Sequence, residues 1–208
     1  MQLPNNNGAA MERVNTQEVE KRALLDRSEY DAVSKRLKEL GASHEGMASV
    51  KDTYFCGKEV ESFSEIEMRE LGSFSLRLRE QSEENKRGEA TLNVKVITKR
   101  NDHNSWEEHE TPVGNINEAA KILKASGFKP FCTINKRRST YVLDGIAIVL
   151  EDIEDFGLGI EAEIMTSKEK EEEAKARIDR TLSDIGVRKD KIVEKSITNI
   201  IMHEKARF

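Results

Sequence analysis

Glu18-Val19-Glu20-Lys21-Arg22 sets two carboxylates and a guanidinium at alternate positions. In a β-strand alternate side chains share a face, so Glu18, Glu20 and Arg22 point one way while Val19 and Lys21 point the other. Two carboxylates on one face repel unless a divalent cation or a cationic ligand lies between them, and an arginine beside them suits a phosphate. One such triplet is ordinarily a solvated strand face. What the other strands carry decides its meaning.

The two-residue spacing recurs at Arg77 and Arg79, Glu108 and Glu110, Lys136 and Arg138, and Glu161 and Glu163, with Lys51, Lys95 and Glu151 standing singly. These residues fall in segments that read as strands: Ser43 to Cys56, Ser73 to Glu80, Ala90 to Ile97, Trp106 to Thr111, Cys132 to Leu143, Ile146 to Ile153 and Gly159 to Met165. Turn signals separate them, at Asn85 to Gly88, Asn101 to Asn104 and the hairpin dipeptide Asp144-Gly145. Residues 58 to 71 are ambiguous.

Helices punctuate the strands. Ser28 caps a helix through Leu40 with Tyr30, Val33, Leu37 and Leu40 on one face and Gly41 as its stop. A second runs from about Asn117 to Ser126. A third opens near Ser167 and the acidic run Glu169 to Glu173, with Ala174, Ile178, Leu182 and Ile185 as its stripe. The chain closes on a helix around Ile197 to His203.

Amphipathic helices need apolar sheet surface, and the residues between the charges supply it: Ala23 and Leu25, Leu76 and Leu78, Val94 and Val96, Ile160 and Ala162. If helices cover that face from outside, the charges point inward. The expected fold is therefore α+β, a closed antiparallel eight-stranded β-barrel with amphipathic helices packed outside, whose interior holds side chains and one small ligand. Its inward set is Arg22, Lys51, Arg77, Arg79, Lys95, Lys136 and Arg138 against Glu18, Glu20, Glu108, Glu110, Glu151, Glu161 and Glu163. A lumen of both signs is wasteful as a core but serves a site in which basic residues neutralise a polyanion while carboxylates hold Mg²⁺ or Mn²⁺.

Composition sets the outer limits. The 208 residues suffice for one substantial core, read here as a single domain over 16–208 after a disordered tail or leader over 1–15, where Pro4, Asn5 to Asn7 and Gly8 show no apolar periodicity. With 34 basic and 39 acidic residues the net charge is −5, which excludes the strongly basic balance of a general nucleic-acid binder. No apolar run is long enough to cross a bilayer and no signal peptide opens the chain, so a cytoplasmic protein with no membrane partner is expected. Cys56 and Cys132 lack partners at zinc spacing, and His44, His103, His109 and His203 are scattered, which leaves carboxylates as the credible metal ligands.

In order, these segments resemble the CYTH superfamily of triphosphate tunnel metalloenzymes, which includes class IV adenylyl cyclases, thiamine triphosphatases and inorganic tripolyphosphatases. Glu18-x-Glu20-x-Arg22 is similar to its Glu-x-Glu-x-Lys signature, with arginine for lysine. Lys51 to Phe55, Leu76 to Arg79, Lys95, Lys136 to Tyr141, and Leu150 to Gly157 running on to Ile160 to Glu163 resemble its later motifs. Trp106 to Glu110 resembles Arg-x-Glu-x-Glu with tryptophan for arginine, and Glu151 stands where an aspartate is usual. The resemblance implies that Glu18, Glu20, Glu161, Glu151 and Glu163 bind divalent metal with Glu108 and Glu110 assisting, that Glu18, Glu20 and Glu161 are catalytic, and that the seven basic residues hold a triphosphate. It also implies dimerisation at the level of the family.

The segments Thr133 to Lys136 and Glu163 to Thr166 look like the cyclase arm, yet the His-Phe pair preceding the first strand of those cyclases has no counterpart before Glu18. The preferred reading is a metal-dependent triphosphatase acting on ATP, tripolyphosphate or thiamine triphosphate. The alternatives are an adenylyl cyclase and a binding module in which Arg22, Trp106 and Glu151 mark lost activity.

Overall fold

Strand β1 (Thr16–Leu25) turns Val19, Ala23 and Leu25 into a core shared with helices and Glu18, Glu20 and Arg22 toward a cavity on the opposite side. The computed structural model describes residues 16–66, 70–83, 88–97 and 106–205. The expected tail over 1–15, most of the turn from Asn85 to Gly88, the turn from Asn101 to Asn104 and the Trp106 side chain lie outside them.

Helix α1 (Arg27–Glu39) follows β1 and starts on Asp26 rather than Ser28. The Asp26 carboxylate accepts the Glu29 N–H at 2.9 Å while the Glu29 carboxylate accepts the Asp26 N–H at 2.9 Å, a reciprocal cap that satisfies two otherwise orphaned donors. Ser28 merely donates to Asp26, at 2.7 Å. The chain continues through β2 (Ser43–Gly57), β3 (Phe74–Glu83), β4 (Glu89–Ile97), β5 (Trp106–Pro112), α2 (Ile116–Ala125), β6 (Phe128–Leu143), β7 (Ile146–Ile153), β8 (Gly157–Ser167), α3 (Glu171–Asp184), β9 (Ile192–Val193) and α4 (Ile197–Lys205). Among its described residues the ambiguous stretch contains one 3₁₀ turn, at Phe63–Glu65, and another at Lys168–Lys170 carries the chain into α3, so Ser167 ends β8 instead of capping the helix. Between β6 and β7 the expected two-residue hairpin forms with Asp144 at φ 50° and Gly145 at φ 75°, the left-handed pair that such a turn demands.

Every ladder is antiparallel, in the order β5-β4-β3-β2-β6-β7-β8-β1-β9. The α+β architecture is the expected one, with two differences of detail in the sheet. A two-residue ninth strand joins the sheet, and among the described residues hydrogen bonds do not close it, because β5 and β9 each have one neighbour. Curling brings the walls together instead: all eight long strands line one cavity, and Glu163 on β8 feels the charge of Lys95 on β4.

Two apolar layers lie outside the curl. Helices α1 and α3 bury Val33, Leu37, Ala174, Ile178 and Leu182 against Ala23, Ile148, Leu150, Ile160 and Ala162. Helix α2 buries Leu123 against Phe55, Leu76 and Leu78. Each fully buried leucine or isoleucine contributes about 2 kcal/mol of transfer free energy, so these faces secure which side of every strand looks inward. Helix α4 departs from the expectation that all helices lie outside. Its Ile197, Ile201 and Met202 cluster with Tyr54, Cys56, Cys132, Ile134 and Ile153, and Tyr54, Cys56, Ile134 and Ile153 share their strand faces with the inward charges. A Cβ placed on Gly159 would lie 2.6 Å from Ile197 Cδ1, so α4 comes this close to β8 because residue 159 has no side chain.

Candidate functional site

Inside the curl lies a cavity of about 830 Å³, charged along one part and apolar where α4 enters. Strands β1 and β8 build its acidic wall. Their register sets Glu20 opposite Glu163 and Arg22 opposite Glu161. Carboxylate oxygens of Glu18, Glu20 and Glu163 all lie within 4.8 Å of one another. Burial first, then the charges of Glu18 and Glu161, pushes the Glu163 carboxyl above the usual range. Arg22 is 4% exposed, contacts the Glu20 carboxylate and stands 3.6 Å from Glu161 Oε1. Burial lowers its pKa, opposed most strongly by Glu161.

The facing wall comes from β2, β3, β6 and β7. Arg77, Arg79, Lys136 and Arg138 reach the cavity, each backed by a buried acid. Asp52, wholly buried, accepts from Arg79 Nε at 2.7 Å and from Arg79 Nη2 at 2.8 Å, and lies 3.8 Å from both Arg77 and Lys136. Burial would raise the Asp52 pKa, but Arg79, Arg77 and Lys136 outweigh it and hold the carboxyl below its ordinary value. Glu151, 1% exposed, accepts from Arg138 Nε at 2.5 Å and sits 2.8 Å from Lys136 Nζ. Its pKa is also lowered, burial being overcome by Lys136 and Arg138. At the far edge, Lys95 lies 3.1 Å from Glu108, and Asn93, 2% exposed, donates to Glu108 and, at 3.5 Å, to Glu110.

The structure thus brings Glu18, Glu20, Arg22, Arg77, Arg79, Lys95, Glu108, Glu110, Lys136, Arg138, Glu161 and Glu163 to one cavity. Two residues of the expected inward set do not reach the lining. Lys51 is on the outer face of β2, half-exposed and 3.0 Å from Glu80, because Val50, Asp52, Tyr54 and Cys56 occupy the inner face. Glu151 lies beneath the lining as the counter-ion of Lys136 and Arg138 rather than beside the Glu18, Glu20 and Glu163 cluster. Asp52, Asn93, Tyr54 and the α4 residues are additions that the sequence pattern did not single out.

Among the described residues the lining holds eight acidic and six basic side chains. Surplus carboxylate of this kind attracts cations. The Glu18, Glu20 and Glu163 oxygens are hard donors at mutual distances that a single ion can span, and the raised Glu163 pKa marks charge that the fold leaves uncompensated. The donor set fits a divalent cation.

The CYTH domain matches residues 16–197. The chain belongs to the CYTH family. Among solved structures, the PH1819 protein of Pyrococcus horikoshii superposes with a TM-score of 0.73 at 22% identity, over 90% of this chain and 99% of that one. A candidate adenylate cyclase from Vibrio parahaemolyticus gives 0.70 at 18% identity, over 89% and 97%. HpAC1 from Hippeastrum, an adenylyl cyclase candidate with a dominant triphosphatase activity, gives 0.61 at 16% identity, over 91% and 95%. Among curated protein sequences none matches the chain. At these identities the neighbours share the CYTH fold. No helix among the described residues is long and apolar enough to cross a membrane.

Proposed function

We propose that this CYTH protein is a divalent-metal-dependent triphosphatase that hydrolyses the terminal phosphate of an inorganic or organic triphosphate held in the cavity. The observation that carries the reading is the opposition of the walls: three carboxylates converge on one side with Arg22 against Glu20 alone and the Glu163 pKa raised, while the cations facing them are anchored from behind by Asp52 and Glu151. Glu18, Glu20 and Glu163 would hold Mg²⁺ or Mn²⁺, which when bound neutralises them and polarises phosphate oxygens. Arg77, Arg79, Lys136 and Arg138 bind and orient the phosphates, with Lys95 at the rim. Glu161, held by Arg22 at 3.6 Å and Arg138 at 3.8 Å, orients a water toward the terminal phosphorus. That water forms the new P–O bond as the bridging P–O bond breaks, releasing orthophosphate, and positioning with charge stabilisation supplies most of the rate.

A cyclase reading draws on the cyclase-like segments Thr133 to Lys136 and Glu163 to Thr166. In it the ribose 3′-hydroxyl of ATP attacks the α-phosphorus and pyrophosphate leaves. Incubation with ATP, tripolyphosphate and thiamine triphosphate in Mg²⁺ and in Mn²⁺, followed by product analysis, separates the readings. Orthophosphate is the expected product; cyclic AMP with pyrophosphate would establish the cyclase, and tight binding without turnover would establish a binding module.

A further inference from the structure

The four cations of the β2, β3, β6 and β7 wall are not held equally by the acids behind them. Arg79 stands 2.7 Å from Asp52, and Lys136 and Arg138 stand 2.8 and 2.5 Å from Glu151, close enough for hydrogen bonds that fix their direction. Arg77 is different. It lies 3.8 Å from Asp52, a distance that balances charge without orienting a guanidinium. A planar fork serves a phosphate only when its N–H groups point at the oxygens, so another group has to direct Arg77.

Tyr54 is placed to do so. The β2–β3 register sets it directly opposite Arg77, on the face that looks into the curl, where the side chains of paired residues adjoin. It is 4% exposed, and its ring packs against Phe131 with centroids 6.4 Å apart. Its side chain engages Arg77 and, from α4, the side chain of Thr198. Burial and then the charge of Asp52 raise its pKa, so the hydroxyl keeps its proton and offers the guanidinium a neutral acceptor oxygen.

Thr198 stands between two anchored residues. Ser196 accepts the Asn199 N–H at 3.1 Å and closes the first turn of α4, and Ile197 reaches β8 over Gly159. One turn on, Ile201 and Met202 share a buried cluster with Tyr54 and Cys56, which holds the helix against the tyrosine.

We infer that Tyr54 and Thr198 are positioning residues for Arg77: the threonine on α4 steadies the tyrosine hydroxyl, and that hydroxyl aims the guanidinium at the phosphate chain. The C-terminal helix thereby reaches the phosphate site through a hydroxyl rather than a charge. The inference rests on the proposed triphosphate site and adds the residues that set the direction of one of its ligands.

Binding of diimidotriphosphate, a triphosphate chain whose bridges resist hydrolysis, in Mg²⁺ tests this. Tyr54→Phe removes one oxygen and keeps the ring, and it should weaken binding about fivefold, the scale of one net hydrogen bond. Thr198→Val should weaken it about threefold, and Thr198→Ser, which keeps the hydroxyl, should restore the loss. In an Arg77→Ala background Tyr54→Phe should cost nothing further, whereas a tyrosine that only stabilised the fold would cost the same in both backgrounds. Near-UV circular dichroism checks that the variants keep their packing, and the Thr198 pair reads the same relay from α4 should Tyr54→Phe not fold. Wild-type affinity in Tyr54→Phe or Thr198→Val, or equal losses in both backgrounds, overturns the relay and leaves the triphosphate site standing. Absence of binding by the wild-type protein, or an Arg77→Ala variant that binds as tightly as wild type, overturns both.

Discussion

The two walls of the cavity solve the same electrostatic problem in opposite ways. On the β2, β3, β6 and β7 side each cation that faces the ligand is neutralised from behind, Arg79 by Asp52 at 2.7 Å and Lys136 and Arg138 by Glu151 at 2.8 and 2.5 Å. On the β1 and β8 side Glu18, Glu20 and Glu163 converge with Arg22 against Glu20, and burial with the charges of Glu18 and Glu161 raises the Glu163 pKa against the pull of Arg138 and Lys95. The first wall is complete in the fold; the second is completed by what binds. Stability and ligand dependence should therefore divide between the walls.

The largest effect should come from Asp52→Ala. It leaves Arg79, Arg77 and Lys136 without their shared buried counter-ion, and the loss of one partner from a buried pair costs about 3–5 kcal/mol, readable from urea unfolding. The same carboxylate should govern the acid limb. Its folded pKa lies below the ordinary 3.8, so the stability it confers is present above pH 3.8 and lost as pH falls through the folded value. In Asp52→Asn the urea midpoint should lose that part of its acid dependence; an unchanged acid limb would break the contrast between the walls.

Arg77→Ala comes next. Its Nε is backed by Asp52 at 3.8 Å and its side chain lines the cavity, where the guanidinium meets a phosphate oxygen. Removal of a charge-assisted contact costs about 1.5–3 kcal/mol, so triphosphate affinity should fall tenfold or more, whereas the exposed Lys175→Ala should leave it unchanged. Glu163→Gln sharpens the comparison from the other side. The metal-free protein should be at least as stable as wild type, since a repelled charge has gone, while the thermal stabilisation by Mn²⁺ drops by about 1.4 kcal/mol for each tenfold loss of affinity. A metal-free variant less stable than wild type would mean that Glu163 is already paired. Lys51→Ala should do least: its exposed pair with Glu80 is worth below about 0.5 kcal/mol, and triphosphate titration should not register its loss.

The strands were legible because period-two charge and apolar alternation coincide on β1, β3 and β8, where Leu76, Leu78, Ile160 and Ala162 mark the outer face beyond doubt. On β2 the same rule misleads. Lys51 and Asp52 are adjacent, each strand face carries one charge, and a shift of a single residue exchanges them. Only the burial of Val50, Tyr54 and Cys56 on the Asp52 side decides it. Glu151 was legible as inward but not as a counter-ion, because its partners Lys136 and Arg138 come from the neighbouring strand at a register that the sequence does not print. For α4, the apolar pattern of Ile197 and Ile201 identifies a buried face and is silent about which side of the sheet buries it.

The open margin of the sheet has a consequence for solubility. Among the described residues strand β5 has one neighbour, so one row of its backbone donors and acceptors has no strand partner there. Along it Glu107, Glu108, His109 and Glu110 are exposed, and Pro112 at its end offers no N–H. A second chain adding here would have to strip water from these carboxylates and forgo a rung of its ladder, so the acids at this margin also act as gatekeepers against edge-to-edge aggregation.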